Sequence, residues 1–69
     1  MKITYDKDAD AMYIKLLEGK FASNKEIDRN TILDLDEEGN ILGIEILDAS
    51  KRMGKKAFSN IQFENLVPE

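Results

Sequence analysis

Between residues 3 and 47 the chain alternates apolar and polar side chains with a period of two, which restricts that stretch to half-buried β-strands. Ile3 and Tyr5 alternate with Lys2 and Thr4. Met12, Ile14 and Leu16 alternate with Tyr13, Lys15 and Leu17, and Thr31, Leu33 and Leu35 with Ile32, Asp34 and Asp36. Leu42, Ile44 and Ile46 alternate with Gly43, Glu45 and Leu47. Residues 21–28 are polar on both sides and suit an edge strand better than a central one. The breaks carry turn chemistry: Asp6, Asp8 and Asp10 after the first run, Gly19 after the second, and Glu37-Glu38-Gly39-Asn40 as a hairpin loop. The expected fold is α+β and mainly β, a small antiparallel β-meander of four to six strands. Its expected core is Ile3, Tyr5, Met12, Ile14, Leu33, Leu35, Leu42, Ile44 and Ile46.

Beyond Leu47 the pattern changes. Asp48 is a good N-cap, the next five residues suit a short helix, and Gly54 can end it. Residues 59–66 alternate at Ile61 and Phe63, which favours a sixth strand over a helical turn, and Pro68 ends regular structure. With 69 residues and no linker, repeat or low-complexity tract, residues 1–69 form one domain with a thin core.

Composition removes whole classes of chemistry. The chain has no cysteine, hence no disulfide framework, thiolate nucleophile or finger-type zinc site. It has no histidine, which excludes Ser-His-Asp hydrolysis and HExxH metalloproteolysis. The remaining nucleophiles, Ser23, Ser50, Ser59, Thr4 and Thr31, therefore have no imidazole to activate them, and Ser50 next to Lys51 is no dyad by adjacency alone. An enzyme is not expected, and no cofactor is implied. No apolar run approaches a membrane span and the first residues do not read as a signal peptide, so a cytoplasmic location is expected.

Net charge is −4, which argues against nucleic acid as the main partner. The basic residues nonetheless gather at Lys51, Arg52, Lys55 and Lys56, a cluster that could touch phosphate but reads more simply as a solvated helix end. Two acidic clusters are candidate cation sites. Asp34, Asp36, Glu38, Gly39 and Glu45 follow EF-hand spacing, departing from it at Glu38, yet both flanks alternate as strands where an EF-hand needs helices. Asp6, Asp8 and Asp10 are close in sequence, but that frame places Ala11 and Leu17 where a Gly turn and the last ligand belong. Both clusters read better as Asp-rich turns. A glycosidase-like carboxylate pair would need a sugar cleft that so short a chain does not frame. Tyr5 and Tyr13 lie on different strand faces, each expected to pack with its hydroxyl at the rim.

Met1-Lys2-Ile3-Thr4-Tyr5-Asp6, Ala9-Asp10-Ala11-Met12-Tyr13-Ile14, Ile32-Leu33-Asp34-Leu35-Asp36 and Gly43-Ile44-Glu45-Ile46-Leu47-Asp48-Ala49-Ser50-Lys51 together resemble a small prokaryotic family, domain of unknown function 2283. The resemblance runs from Met1 to about Met53, with Met12 where Leu is more usual, and leaves residues 54–69 outside it. It implies a compact β-rich domain and assigns no activity. An association of some members with toxin-like genes implies an antitoxin-like role as one option.

The leading expectation is a small protein-interaction module whose partner is a second copy or the product of a neighbouring gene. Ile32 opposes Leu33 and Leu47 opposes Ile46, so one short helix cannot cover every apolar surface. A homodimer through a sheet edge or a sheet face would cover the rest, and Ile61, Phe63 and Leu66 folding back would be the alternative. An antitoxin-like or nucleic-acid-binding accessory using residues 51–56, and a weak divalent-cation binder using Asp6, Asp8, Asp10, Asp34, Asp36 and Glu38, are the other expectations.

Overall fold

The computed structural model describes residues 1–67. Five strands, β1 (Lys2–Asp6), β2 (Ala11–Lys15), β3 (Ser23–Asp28), β4 (Thr31–Leu35) and β5 (Ile41–Ile46), are followed by a short helix α1 (Ala49–Met53) and a 3-10 turn (Lys55–Ser59). The small, mainly β antiparallel architecture expected from the alternation is present. All pairings are antiparallel, and the strands form a single sheet in the order β1-β2-β5-β4-β3.

That order departs once from simple succession: β5 lies between β2 and β4. The sheet is a β1–β2 hairpin docked through β2 on a β3–β4–β5 meander. The side chains explain the arrangement. β3 (Ser-Asn-Lys-Glu-Ile-Asp) is exposed at every position and belongs at an edge, as its polar faces indicate. β5 carries Leu42, Ile44 and Ile46 and gains most from the centre. Residues 16–22 span the distance, crossing the end of β5 on their way to the far edge. The Leu16 and Leu17 amides donate to the Leu42 carbonyl at 2.8 and 3.1 Å, and the Ala22 amide to the Leu35 carbonyl at 2.8 Å.

Register sorts the side chains into two unlike faces. On one face Ile3, Ile14, Ile44 and Leu33 form a continuous row across β1, β2, β5 and β4, ending on Lys25 of β3. Tyr5, Met12, Ile46 and Thr31 form the next row. The opposite face carries Thr4, Tyr13, Glu45, Ile32 and Glu26 in one row and Lys15, Gly43, Asp34 and Asn24 in the next.

The expected core residues thus share the apolar face, but few are enclosed. Among the described residues only Met12 (7% exposed), Leu42 (5%) and Ala49 (0%) are buried apolar side chains. Ile3 is 41% exposed, and Ile14, Leu33, Ile44 and Ile46 are half-buried.

Two devices close the ends of this face. Residues 16–22 lie over Leu42 so closely that a Cβ on Gly19 would come within 2.7 Å of Leu42 Cδ2. At the other end Phe58, from the 3-10 turn, stacks on Tyr5 with ring centroids 3.9 Å apart. Gly54 ends α1 at φ 86°, its amide donating to the Ser50 carbonyl, and leads into the 3-10 turn.

The strand favoured for residues 59–66 does not form. The 3-10 turn takes Ser59, and no regular structure follows to Val67. Alternation at Ile61 and Phe63 does not bring this segment to either edge strand, β1 or β3. These side chains are 58% and 87% exposed, and Leu66 is exposed as well, so the tail does not fold back as a cover. The expectation for Pro68 lies outside the described residues.

Candidate interaction surface

Asp10 organises the end of the apolar face where α1 sits. The turn after β1 begins with Asp6, whose Oδ1 accepts the Asp8 and Ala9 amides at 3.0 and 3.2 Å, and brings Asp10 round at φ 51°. Asp tolerates this left-handed conformation better than most residues. The Tyr5 hydroxyl donates to Asp10 Oδ1 at 2.6 Å, the Ser50 amide to the same oxygen at 3.0 Å, and Ser50 Oγ to Oδ2 at 2.8 Å. The Ala49 amide donates to the Asp10 carbonyl at 2.9 Å. Asp10 therefore satisfies the first turn of α1 from forty positions away in sequence.

This corrects the reading of Asp48 as the N-cap. Asp48 occupies the cap position at φ 50° but makes no side-chain cap bond. Ser50 likewise binds Asp10 with both amide and hydroxyl, so its side chain turns away from its own helix.

The bond from Tyr5 holds the Asp10 carboxyl below its ordinary value, with the Ser50 amide adding to the effect. The same bond raises the Tyr5 phenol. The signs give opposite limbs. Asp10 favours the fold above the ordinary carboxylate range, near pH 4, and that contribution is lost as pH falls through its lowered value. Tyr5 favours the fold below about pH 10, and its contribution is lost as pH rises through its raised value. Asp10→Asn should flatten the acid limb and return Tyr5 toward ordinary titration while leaving Tyr13 raised. With two tyrosines and no tryptophan, absorbance at 295 nm follows both phenols. An unchanged two-tyrosine titration in this variant would show that Asp10 is not the partner of Tyr5.

The opposite face carries a polar relay. The Tyr13 hydroxyl donates to Asp34 Oδ2 at 3.0 Å, and Asn24 Nδ2 to Asp34 Oδ1 at 2.7 Å. Loss of solvent first, and the Asp34 bond second, raise the Tyr13 phenol. The ring reaches Asp34 by lying across Gly43, where a Cβ would overlap its hydroxyl and ring carbons. Glycine inside a strand often marks such a close approach.

The residues singled out as possible cation ligands are placed in separate roles. Asp6 and Asp10 are engaged as described, and Asp34 lies on the polar face. Asp36 Oδ1 accepts the Glu38 and Asn40 amides at 3.0 and 2.8 Å, and Oδ2 accepts Asn40 Nδ2 at 3.0 Å. These bonds hold the Asp36 carboxyl below its ordinary value, the Asn40 side chain contributing most. The segment with EF-hand spacing is a β-hairpin with Gly39 at φ 84°, and Glu45 stands on the polar face opposite Tyr13. Among the described residues no three of Asp, Glu, His or Cys are grouped to hold a metal ion.

Lys51 and Arg52 lie on α1, with Lys55 and Lys56 on the 3-10 turn beyond Gly54. Arg52 is tied to the meander, its guanidinium donating to Thr31 Oγ1 at 2.6 Å and to the Asn30 carbonyl at 3.3 Å. Lys51, Lys55 and Lys56 are exposed.

Two signals were present in the sequence for what the alternation overlooked. Gly43 interrupts an otherwise apolar strand opposite Lys15 and diagonal to Tyr13, which marks the crossing ring. Asp10 ends an Asp-rich turn two residues before Met12, but its partner at Ser50 could not be read from local spacing. On the apolar face Ile3 is 41% exposed beside half-buried Ile14.

The match to the family model described as "Protein of unknown function (DUF2283)" covers residues 2–50, from the first strand to the residue that binds Asp10. The chain belongs to the DUF2283 family. The match agrees with the segment expected from the resemblance and leaves out most of α1, the 3-10 turn and the tail. No curated protein and no solved structure matches the chain. Among the described residues no helix is long and apolar enough to cross a membrane.

Proposed function

We propose that this DUF2283 chain is a protein-interaction module, acting by binding and not by catalysis, and that it engages its partner through the centre of the apolar sheet face. The observation that carries this reading is the row Ile3, Ile14, Ile44 and Leu33: it is continuous across four strands and incompletely covered, with Ile3 41% exposed and the other three half-buried. An open apolar surface bordered by polar groups is characteristic of a binding site on so small a domain. A cytoplasmic, prokaryotic setting belongs to the same reading. The antitoxin-like or nucleic-acid alternative has weaker support, because Arg52 is engaged by Thr31 and Asn30 and the chain as a whole is acidic.

Adjacent positions on β1 test the proposal, since Ile3 and Thr4 point to opposite faces. A photo-reactive phenylalanine analogue at position 3, expressed in cells, should form adducts with protein. The same group at position 4 should form few. Adducts equal at both positions, or confined to position 4, would overturn the assignment of the face.

A further inference from the structure

Resting on that reading of the apolar face, we infer that its occupant is a second copy of this chain, the two sheets stacking face to face about a two-fold axis. Area is the first argument. The chain exposes 5753 Å², whereas a compact monomer of 7.9 kDa exposes about 4,400 Å² by surface–mass scaling. The excess of about 1,350 Å² exceeds the ~800 Å² that each partner contributes to a standard interface and falls in the range of obligate homodimers. Part of it lies in the tail, where Ile61, Phe63 and Leu66 are 58%, 87% and 79% exposed, and part on the apolar face, where Ile3 is 41% exposed.

Shape gives the same result. The radius of gyration is 13.5 Å, against about 11 Å for a compact chain of this length. The molecule measures 38 × 35 × 18 Å, a slab with one sheet layer and covered ends. A stable sheet needs a second layer on its apolar side. The missing layer has the dimensions and chemistry of the layer already present, and stacked sheets pack about 10 Å apart through interdigitated side chains.

Charge selects the face. In a two-fold interface each patch meets its own image. The Ile3–Ile14–Ile44–Leu33 row meets itself without like-charge opposition, because its one charged neighbour, Lys25, lies at the β3 edge. The other face carries Glu26, Glu45 and Asp34, and stacking it on its own image would bury these carboxylates near like charges.

Sedimentation equilibrium of the full chain over a micromolar range tests the inference, together with isoleucine methyl spectra recorded on dilution. The expected mass is twice 7.9 kDa. Methyl resonances of Ile3, Ile14 and Ile44 should shift on dilution, while Ile32 on the opposite face stays fixed. Ile3→Glu should raise the dissociation constant about tenfold or more, and Thr4→Glu should leave it near the parent value. The methyl experiment needs no variant, so it decides the matter even if Ile3→Glu fails to fold. A mass of 7.9 kDa throughout overturns the inference, as does a dimer whose dilution moves Ile32 and spares Ile3, Ile14 and Ile44. A monomer that still gives position-3 adducts with a different protein would remove the second copy and keep the interaction face. Absence of adducts from position 3 would remove both.

Discussion

Leu42→Ala should destabilise the domain by about 2–5 kcal/mol, the range for removing an enclosed leucine side chain. A chain of this length has a total stability of roughly 3–10 kcal/mol, so the variant is expected to lose most of its folded population. The effect is concentrated at Leu42 because the crossing segment 16–22 encloses it on a face that is otherwise open. Ile44, half-buried on the same strand, should cost less when truncated in the monomer, and exposed Ile41 less again. Urea denaturation monitored by circular dichroism ranks the three variants. Equal midpoints for Leu42→Ala and Ile41→Ala would mean that residues 16–22 do not seat on β5.

Gly43→Ala should cost about 1–3 kcal/mol, because its Cβ requires the space occupied by the Tyr13 ring. The ring would have to swing off the sheet, breaking the hydroxyl bond to Asp34 and leaving Asn24 as the remaining side-chain donor to that carboxylate. Removing the ring first changes the outcome. In a Tyr13→Ala background, Gly43→Ala should be neutral or stabilising by up to about 1 kcal/mol, since glycine in a strand interior is otherwise a liability. The coupling between the two positions should fall in the range of about 0.5–3 kcal/mol found for residues in contact. Additive denaturation free energies in the four-member cycle would show that the ring does not lie over Gly43.

The sheet was legible because a period of two is local: Ile3 with Tyr5, Met12 with Ile14, and Leu33 with Leu35 mark their faces without reference to a partner strand. The hairpin loop at Gly39, the edge position of β3 and the extent of α1 follow from equally local chemistry. Strand order was less visible because it depends on competition for the centre, which β5 wins through side chains that alternation alone does not rank. The helix cap was hidden for a stronger reason. Asp48 has the right residue type in the right place, and only the folded chain shows that Asp10 reaches Ser50 first. The doubled apolar residues of β4 and β5 pointed to a bare second face carrying Ile32 and Leu47, whereas the incompletely covered row Ile3, Ile14, Ile44 and Leu33 lies on the face of the expected core. The tail proposed to cover that second face has the right composition, but Ile61 and Phe63 point into solvent.

The outer edge at β3 also determines how association ends. Lys25, Glu26 and Asp28 line that edge, and pairing with β4 shifts register between Glu26 and Asp28, which adds twist and breaks the regular hydrogen-bonding row offered to an incoming strand. Strand-by-strand addition, which has no natural stopping point, is therefore opposed at that edge by charge and by geometry. Stacking through the apolar face, as inferred above, would be saturated after a single event, since the face left outside carries Glu26, Asp34, Glu45 and Lys15 around Ile32. The pair inferred above would be closed, where addition of strands at an edge would lead to an open-ended fibre.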